Sequence, residues 1–519
     1  MKTLFCIVLF WNVSLISGLA QDGPVGVKIE WGELSEKDAK FEIHEVAGYD
    51  GTDLYVTKVN KRGYSDSRPS LASYDRASLE REVFEKIKLK GDERKQKFQF
   101  AVYFQDSLYI FFFSNLSDLG VLSVQTFDES TLQPRDDLRR VLQVDFSRKG
   151  ALQFREFRYQ LSEDSSKLLV YYNIPDGAPQ DDRFGLCLFG RGMKRLWSRD
   201  IQTPYQERMF SPVNFLVSDS GDVYMLAQFV NATIQSADRP KKPLLTYVVF
   251  AVLEGGDFQS SYVLKGEDVF LLRAAIAFAP EGRLMCAGLY GRDGFNMAGS
   301  YVLQFDARLE EVLFREFYEF DSDFLKKDWP HYEGALKKAK RKGYELGLHF
   351  YDYLDILPTG DGNAFLLAEQ FRYVSLVGSG NQRRTAYRRD NIFVMRITPK
   401  GHIRWVQKVP KRQLLYQRND GRYSYLPLVR NDELYLFFNT LSGASDQTLT
   451  PFDGGVSNSQ AVMVVIDLQG DQRKEVLFAG KDVQVVFLPK YSRQISNEEV
   501  FLLGEYGKYD RAGWLRFED

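Results

Sequence analysis

The stretch Phe215-Leu216-Val217-Ser218-Asp219-Ser220-Gly221-Asp222-Val223-Tyr224-Met225-Leu226-Ala227 decides the fold. An apolar strand enters a tight Asp/Gly turn, and a second apolar strand leaves it. Such turns supply the positive φ or the side-chain hydrogen bonds that a chain reversal needs. Working outward, the same pattern returns about eight times. Upstream lie Asp50-Gly51-Thr52-Asp53-Leu54-Tyr55, Gln105-Asp106-Ser107-Leu108-Tyr109 and Asp164-Ser165-Ser166-Lys167-Leu168-Leu169. Downstream lie Pro280-Glu281-Gly282-Arg283-Leu284, Gly360-Asp361-Gly362-Asn363-Ala364-Phe365, Asn431-Asp432-Glu433-Leu434-Tyr435 and Ser496-Asn497-Glu498-Glu499-Val500-Phe501. From Leu54 to Val500 the spacings are about 54, 60, 55, 61, 80, 70 and 66 residues. Strands repeated at this period imply an all-β fold, a β-propeller of radially arranged four-stranded blades.

Each repeat holds two hairpins. In the fourth, Met209 to Val217, Val223 to Val230, Leu244 to Leu253 and Phe258 to Leu264 are the expected strands. In the sixth they are Tyr351 to Leu357, Phe365 to Phe371, Asn391 to Ile397 and His402 to Val409. Unbroken apolar runs such as Ala461 to Ile466 suit strands covered on both faces by neighbouring blades. The last repeat offers three strands, Val483 to Leu488, Val500 to Tyr506 and Trp514 to Phe517. Val25 to Trp31, ahead of the first repeat, is a spare strand to complete it. That pairing closes the ring and removes an aggregation-prone edge. Eight blades follow, with seven as the alternative because the first repeat is weakly patterned after Lys61.

Of 519 residues, 44% are hydrophobic and 14% aromatic, ample for a large β core. Lys and Arg number 68 against 70 Asp and Glu, which speaks against a nucleic-acid binder. Lys2, the apolar run Leu4 to Ile16 and Gly18-Leu19-Ala20 read as an export signal cleaved after Ala20. The expected organisation is a signal peptide over 1–20 and a propeller over 21–519, with no membrane span and a periplasmic, cell-surface or extracellular location. Cys187 and Cys286 fall in different repeats and read as buried thiols.

Within a blade, the A–B and C–D turns share one rim, and the B–C and D–A connections share the other. The long connections, about 61–73, 176–183, 231–243, 379–390 and 442–460, are all B–C, and the longest, about 321–346, is D–A. Nearly all the elaboration therefore falls on one rim, where binding residues on a rigid scaffold usually sit. Within 321–346, Glu333 to Lys342 is the helical candidate, with Leu336 and Ala339 on its apolar face.

The candidate ligand-binding residues lie in these loops. Arg383, Arg384, Arg388 and Arg389, with the basic run Lys337 to Lys342, form a cationic set suited to carboxylate, sulfate or phosphate. Trp329, Tyr332 and Tyr387 offer stacking surfaces. His349, Asp352 and Asp355 open the inner strand of the sixth repeat, facing the central channel with acid–base potential. Asp352 and Asp355, three apart on a strand, point to opposite faces. The four histidines and three cysteines show no metal-ligand spacing. No nucleophile elbow, phosphate loop or dinucleotide fingerprint stands in a credible setting. No metal and no cofactor is expected.

Endings such as Leu226-Ala227-Gln228-Phe229 and Leu367-Ala368-Glu369-Gln370-Phe371 complete the consensus, as does the second-hairpin form Val394-Met395-Arg396-Ile397-Thr398-Pro399-Lys400-Gly401-His402. In these features, over about Val25 to Asp519, the chain resembles the secreted β-propeller repeat proteins of Bacteroidota. The resemblance implies a binding or scaffold protein. The one-sided loops and the absence of a catalytic motif point to a non-catalytic propeller whose loop-rich rim and channel mouth hold a glycan, an anionic ligand or an envelope protein. The alternatives are a glycoside hydrolase or polysaccharide lyase on a propeller and a structural subunit of a cell-envelope complex. The sialidase-type Ser-x-Asp-x-Gly-x-x-Trp box is not met, since Ser218-Asp219-Ser220-Gly221 has the wrong order.

Overall fold

A computed structural model describes residues 19–518, except 23–25, 37–40, 61–68, 88–95, 117–118, 146–155, 175–180, 207–209, 237–238, 293–295, 328–330, 343–345, 378–382, 417–420 and 444–450. The chain forms eight antiparallel sheets, and each expected repeat is one blade, I to VIII. The first repeat is complete, with Phe41–Tyr49, Asp53–Asn60, Ser70–Asp75 and Arg81–Lys86 as strands A to D. Eight is therefore the blade number.

The core is divided among the joints between blades. Eight apolar clusters each draw on two neighbours, from blades I and II around to blades VIII and I. Strands B and C carry most of this burial. Ser459–Ile466 is buried at every residue, as its continuous apolar run requires. The outer strand of blade V, Val312–Glu319, alternates half-buried and exposed. Turn chemistry follows the sequence: the Asp50 carboxylate accepts the Thr52 and Asp53 amides, both at 2.7 Å. Gly221, at φ 96°, takes the left-handed position its turn needs. Cys187 and Cys286 are buried free thiols in blades III and V.

The ring closes through blade VIII. Val27–Trp31 pairs antiparallel with the C-terminal strand Tyr509–Phe517, setting Ile29 against Leu515 and Trp31 against Gly513. The Trp31 ring lies on Gly513, where a Cβ would come within 2.8 Å of it. A further strand, Leu19–Asp22, lies outside Val27–Trp31. The innermost strand of blade VIII is split into Val486–Phe487 and Arg493–Gln494. Pro489, which has no amide hydrogen to donate, stands in the gap.

Two connections expected as loops are strands instead. In blade IV, Val223–Ser236 and Arg239–Leu253 continue as a two-stranded ribbon over 231–236 and 239–243. In blade VI, Ala364–Val377 and Arg383–Ile397 do the same through the Arg-rich segment. The arginines there come in two adjacent pairs around Thr385-Ala386-Tyr387, a composition that reads as loop until its pairing partner is known. The 321–346 insert is helical as expected, with Ser322–Lys326 and Tyr332–Lys342. Ala339 is buried while the lysine-rich side faces water. One sizeable connection, 128–138 in blade II, is C–D and lies on the plainer rim.

Candidate functional site: an aromatic ribbon on blade VI

The blade VI ribbon rises from the rim that carries the B–C and D–A connections. Its register pairs Phe371 with Arg389, Tyr373 with Tyr387, Ser375 with Thr385 and Val377 with Arg383. Cross-strand partners share a face, so these positions line one side. The other side takes Arg372 opposite Arg388, Val374 opposite Ala386 and Leu376 opposite Arg384. Of the four arginines expected as one patch, Arg388 and Arg389 thus fall on opposite faces.

Two of them already have carboxylate partners. Arg388 Nε lies 3.2 Å and Arg372 Nη2 3.3 Å from Asp390 Oδ2. Arg389 donates to Glu369, which is buried. The second Glu369 oxygen accepts from Lys411 Nζ at 2.7 Å, and Ser424 Oγ donates to the carboxylate at 3.0 Å. Lys411 also reaches Gln413 Oε1 at 3.0 Å and the Arg389 carbonyl at 3.2 Å. Desolvation alone raises the Glu369 pKa. The charges of Lys411 and Arg389 outweigh it and hold Glu369 below the ordinary value, so it is ionised. Burial acts against the Lys411 charge and lowers its pKa.

Above this ion cluster stands an aromatic group. The Arg389 guanidinium carbon lies 4.9 Å from the Tyr353 ring centre and 5.0 Å from that of Phe371. Phe371 meets Tyr353 and Tyr373 edge-on at 5.3 and 5.5 Å and stacks with Tyr387 at 6.1 Å. Tyr373 and Tyr387 meet at 5.2 Å. Phe371 is buried, yet Tyr373 is 60% and Tyr353 45% exposed. A short strand, Gln413–Leu415, pairs with Tyr387 to Arg389 and buttresses the ribbon. Leu415 joins Tyr423, Phe452 and Val486 in a small apolar cluster beneath this rim. Phe350 and Tyr416, adjacent in sequence to the platform elements, are also exposed.

The other expected site residues lie elsewhere or are already engaged. Trp329 and the side chains of Arg383 and Arg384 lie outside the described residues. Tyr332 opens the insert helix and is half-buried against the joint of blades V and VI, with Lys326 5.8 Å from its ring centre. The His349 carbonyl accepts from Gln370 at 3.1 Å. Asp352 pairs with Arg273 of blade V at 3.2 Å. A bulge interrupts the register between Asp352 and Asp355, and Tyr353 takes φ 54° there. Simple alternation therefore does not govern this strand. The bulge sits beside the site, as bulges that re-aim side chains often do. Desolvation raises the Asp355 pKa, although water still reaches the side chain.

Tyr373 escapes sequence reading because the expected strand stops at Phe371, and Tyr353 and Phe371 escape it because nothing local marks them as neighbours of Tyr387 and Arg389. The signal that finds them is Phe371-x-Tyr373 set against Tyr387-x-Arg389, and it needs the pairing register. A cavity of about 430 Å³ opens at the opposite rim among residues 357–358, 427–429 and 494–497. It has no charged lining, and Gln494 donates to the Val429 carbonyl at 3.3 Å. Among the described residues, no group of three or more His, Cys, Asp or Glu is placed to hold a metal. No described helix is long and apolar enough to cross a membrane.

No protein-family model matches the chain, and no curated protein matches it. Among solved structures, an uncharacterised protein from Dyadobacter fermentans is 9% identical, covering 70% of this chain and 95% of its own, with a TM-score of 0.32. The propeller domain of the Trilobed protease from Pyrococcus furiosus is 9% identical over 85% of this chain and 96% of its own, at 0.34. A polysaccharide lyase described as an ulvan lyase is 7% identical over 86% and 96%, at 0.35. At such identities and scores, nothing about substrate or activity passes to this chain.

Proposed function

We propose that this chain is an exported, non-catalytic propeller that binds carbohydrate on the blade VI ribbon. The observation that supports this reading is the pair of half-exposed rings, Tyr353 and Tyr373, held rigid by buried Phe371 and stacked Tyr387. Rigid aromatic rings with phenolic hydroxyls present apolar area at little entropic cost, with a polar edge to each. Sugar rings offer the complement, a C–H face edged by hydroxyls. In titrations of a glycan panel against the whole chain, Tyr373→Ala and Tyr353→Ala should each lose about 1–2 kcal/mol, roughly tenfold in affinity. Binding that is unchanged in both variants would overturn the platform.

Export rests on the leader, and its test is N-terminal sequencing of the secreted protein. Cleavage after Ala20 cuts the outermost strand, Leu19–Asp22, and leaves the seal between Val27–Trp31 and Tyr509–Phe517 whole. A mature chain starting beyond Trp31 would contradict this reading.

A further inference from the structure

We infer that the carbohydrate taken by this ribbon is acidic, bearing carboxylate or sulfate groups; the inference rests on the platform reading and sharpens it. The argument is charge complementarity. Arg372, Arg388, Arg389 and Lys411 share two carboxylates, Glu369 and Asp390. Counting Asp355 on the adjoining inner strand, the cations still outnumber the anions.

The distribution matters as much as the total. Glu369 is shared by two cations, so one positive charge beneath the rings is uncompensated. Lys411 is sealed away, whereas Arg389 keeps partial contact with water and lies against both Tyr353 and Phe371. The excess is therefore presented through a planar guanidinium at the foot of the aromatic face. A guanidinium fork matches a carboxylate or sulfate. Its fixed position spares a ligand the entropy of ordering it.

The test compares acidic polysaccharide fragments with neutral counterparts of the same backbone. Polygalacturonate is set against its methyl ester, and chondroitin sulfate and alginate against their desulfated or esterified forms. Titrations use the full chain at low and at moderate salt. The expected result is at least a tenfold preference for one acidic member over its neutral partner, shrinking as salt rises. In Arg389→Gln, which removes the exposed cation and leaves buried Glu369 paired with Lys411, that preference should fall to near one. If the variant fails to fold, the acid-to-neutral ratio of the unchanged chain decides alone. A ratio of one or less overturns the acidic inference and leaves the platform standing. Absence of binding to every glycan, acidic and neutral, overturns both.

Discussion

Replacing Asp510 with alanine is expected to lower the unfolding free energy by about 3–5 kcal/mol, the usual cost of stranding one partner of a buried ion pair. Asp510 lies at the joint where the last blade meets the first. Lys58 of blade I donates to it at 2.6 Å, and both side chains are almost wholly buried. The ammonium also reaches the Tyr74 hydroxyl at 2.9 Å, and Arg81 stands 3.7 Å from the carboxylate. Without the carboxylate, buried Lys58 loses its 2.6 Å ion-pair partner. Half-exposed pairs nearby, Arg76 with Glu499 across the same joint and Arg516 with Glu30 within blade VIII, count for far less, since water competes for them. Urea unfolding followed by tryptophan fluorescence measures the loss, with Trp31 and Trp514 buried close by. The paired variant Lys58→Met/Asp510→Leu should recover most of it, because an apolar pair leaves no charge stranded. Equal losses in the single and paired variants would mean that the charge is not the cause.

Strand order and blade number are legible in the sequence because they rest on local physics. Period-2 alternation and Asp/Gly turns act within ten residues and recur at every blade. The seal is legible too, because a three-stranded last repeat leaves an edge that Val27–Trp31 fits. The ribbon of blade VI is not. Arg383-Arg384-Thr385-Ala386-Tyr387-Arg388-Arg389 has a loop-like composition, and only its pairing with Phe371 to Val377 makes it a strand. The site fails for the same reason at longer range. Tyr353 belongs to the inner strand, Phe371 and Tyr373 to the second, Tyr387 and Arg389 to the third, and Lys411 to the connection leaving the blade. No short motif spans them, and the ion pair with Glu369 shows only once Leu367-Ala368-Glu369 is set beside that connection.

The second large effect concerns pH. Glu45, on the inner strand of blade I, accepts the Ala101 amide of blade II at 3.2 Å. Desolvation raises its pKa to about 7, against the opposing pull of the Ala101 amide and the Arg493 charge. In the unfolded chain the carboxyl returns to about 4.5. Between these values the folded state holds the proton that the unfolded state has released. The resulting stabilisation is fully present below about pH 4.5 and is lost as pH rises through 7. At about 1.4 kcal/mol per pKa unit the loss is at most about 3 kcal/mol, less whatever water reaches the group. Glu45→Gln stays neutral and can still accept the Ala101 amide. Its denaturation free energy should match the parent near pH 4.5 and exceed it by up to about 3 kcal/mol at pH 8. Asp355 is shifted in the same direction, so any slope left in the Gln variant should flatten further on adding Asp355→Asn. Parallel curves for parent and Glu45→Gln across this range would place the titration elsewhere. A flattened curve would show that the inner strands hold a proton near neutrality for the stability of the ring, with no need to assign the channel an acid–base reaction.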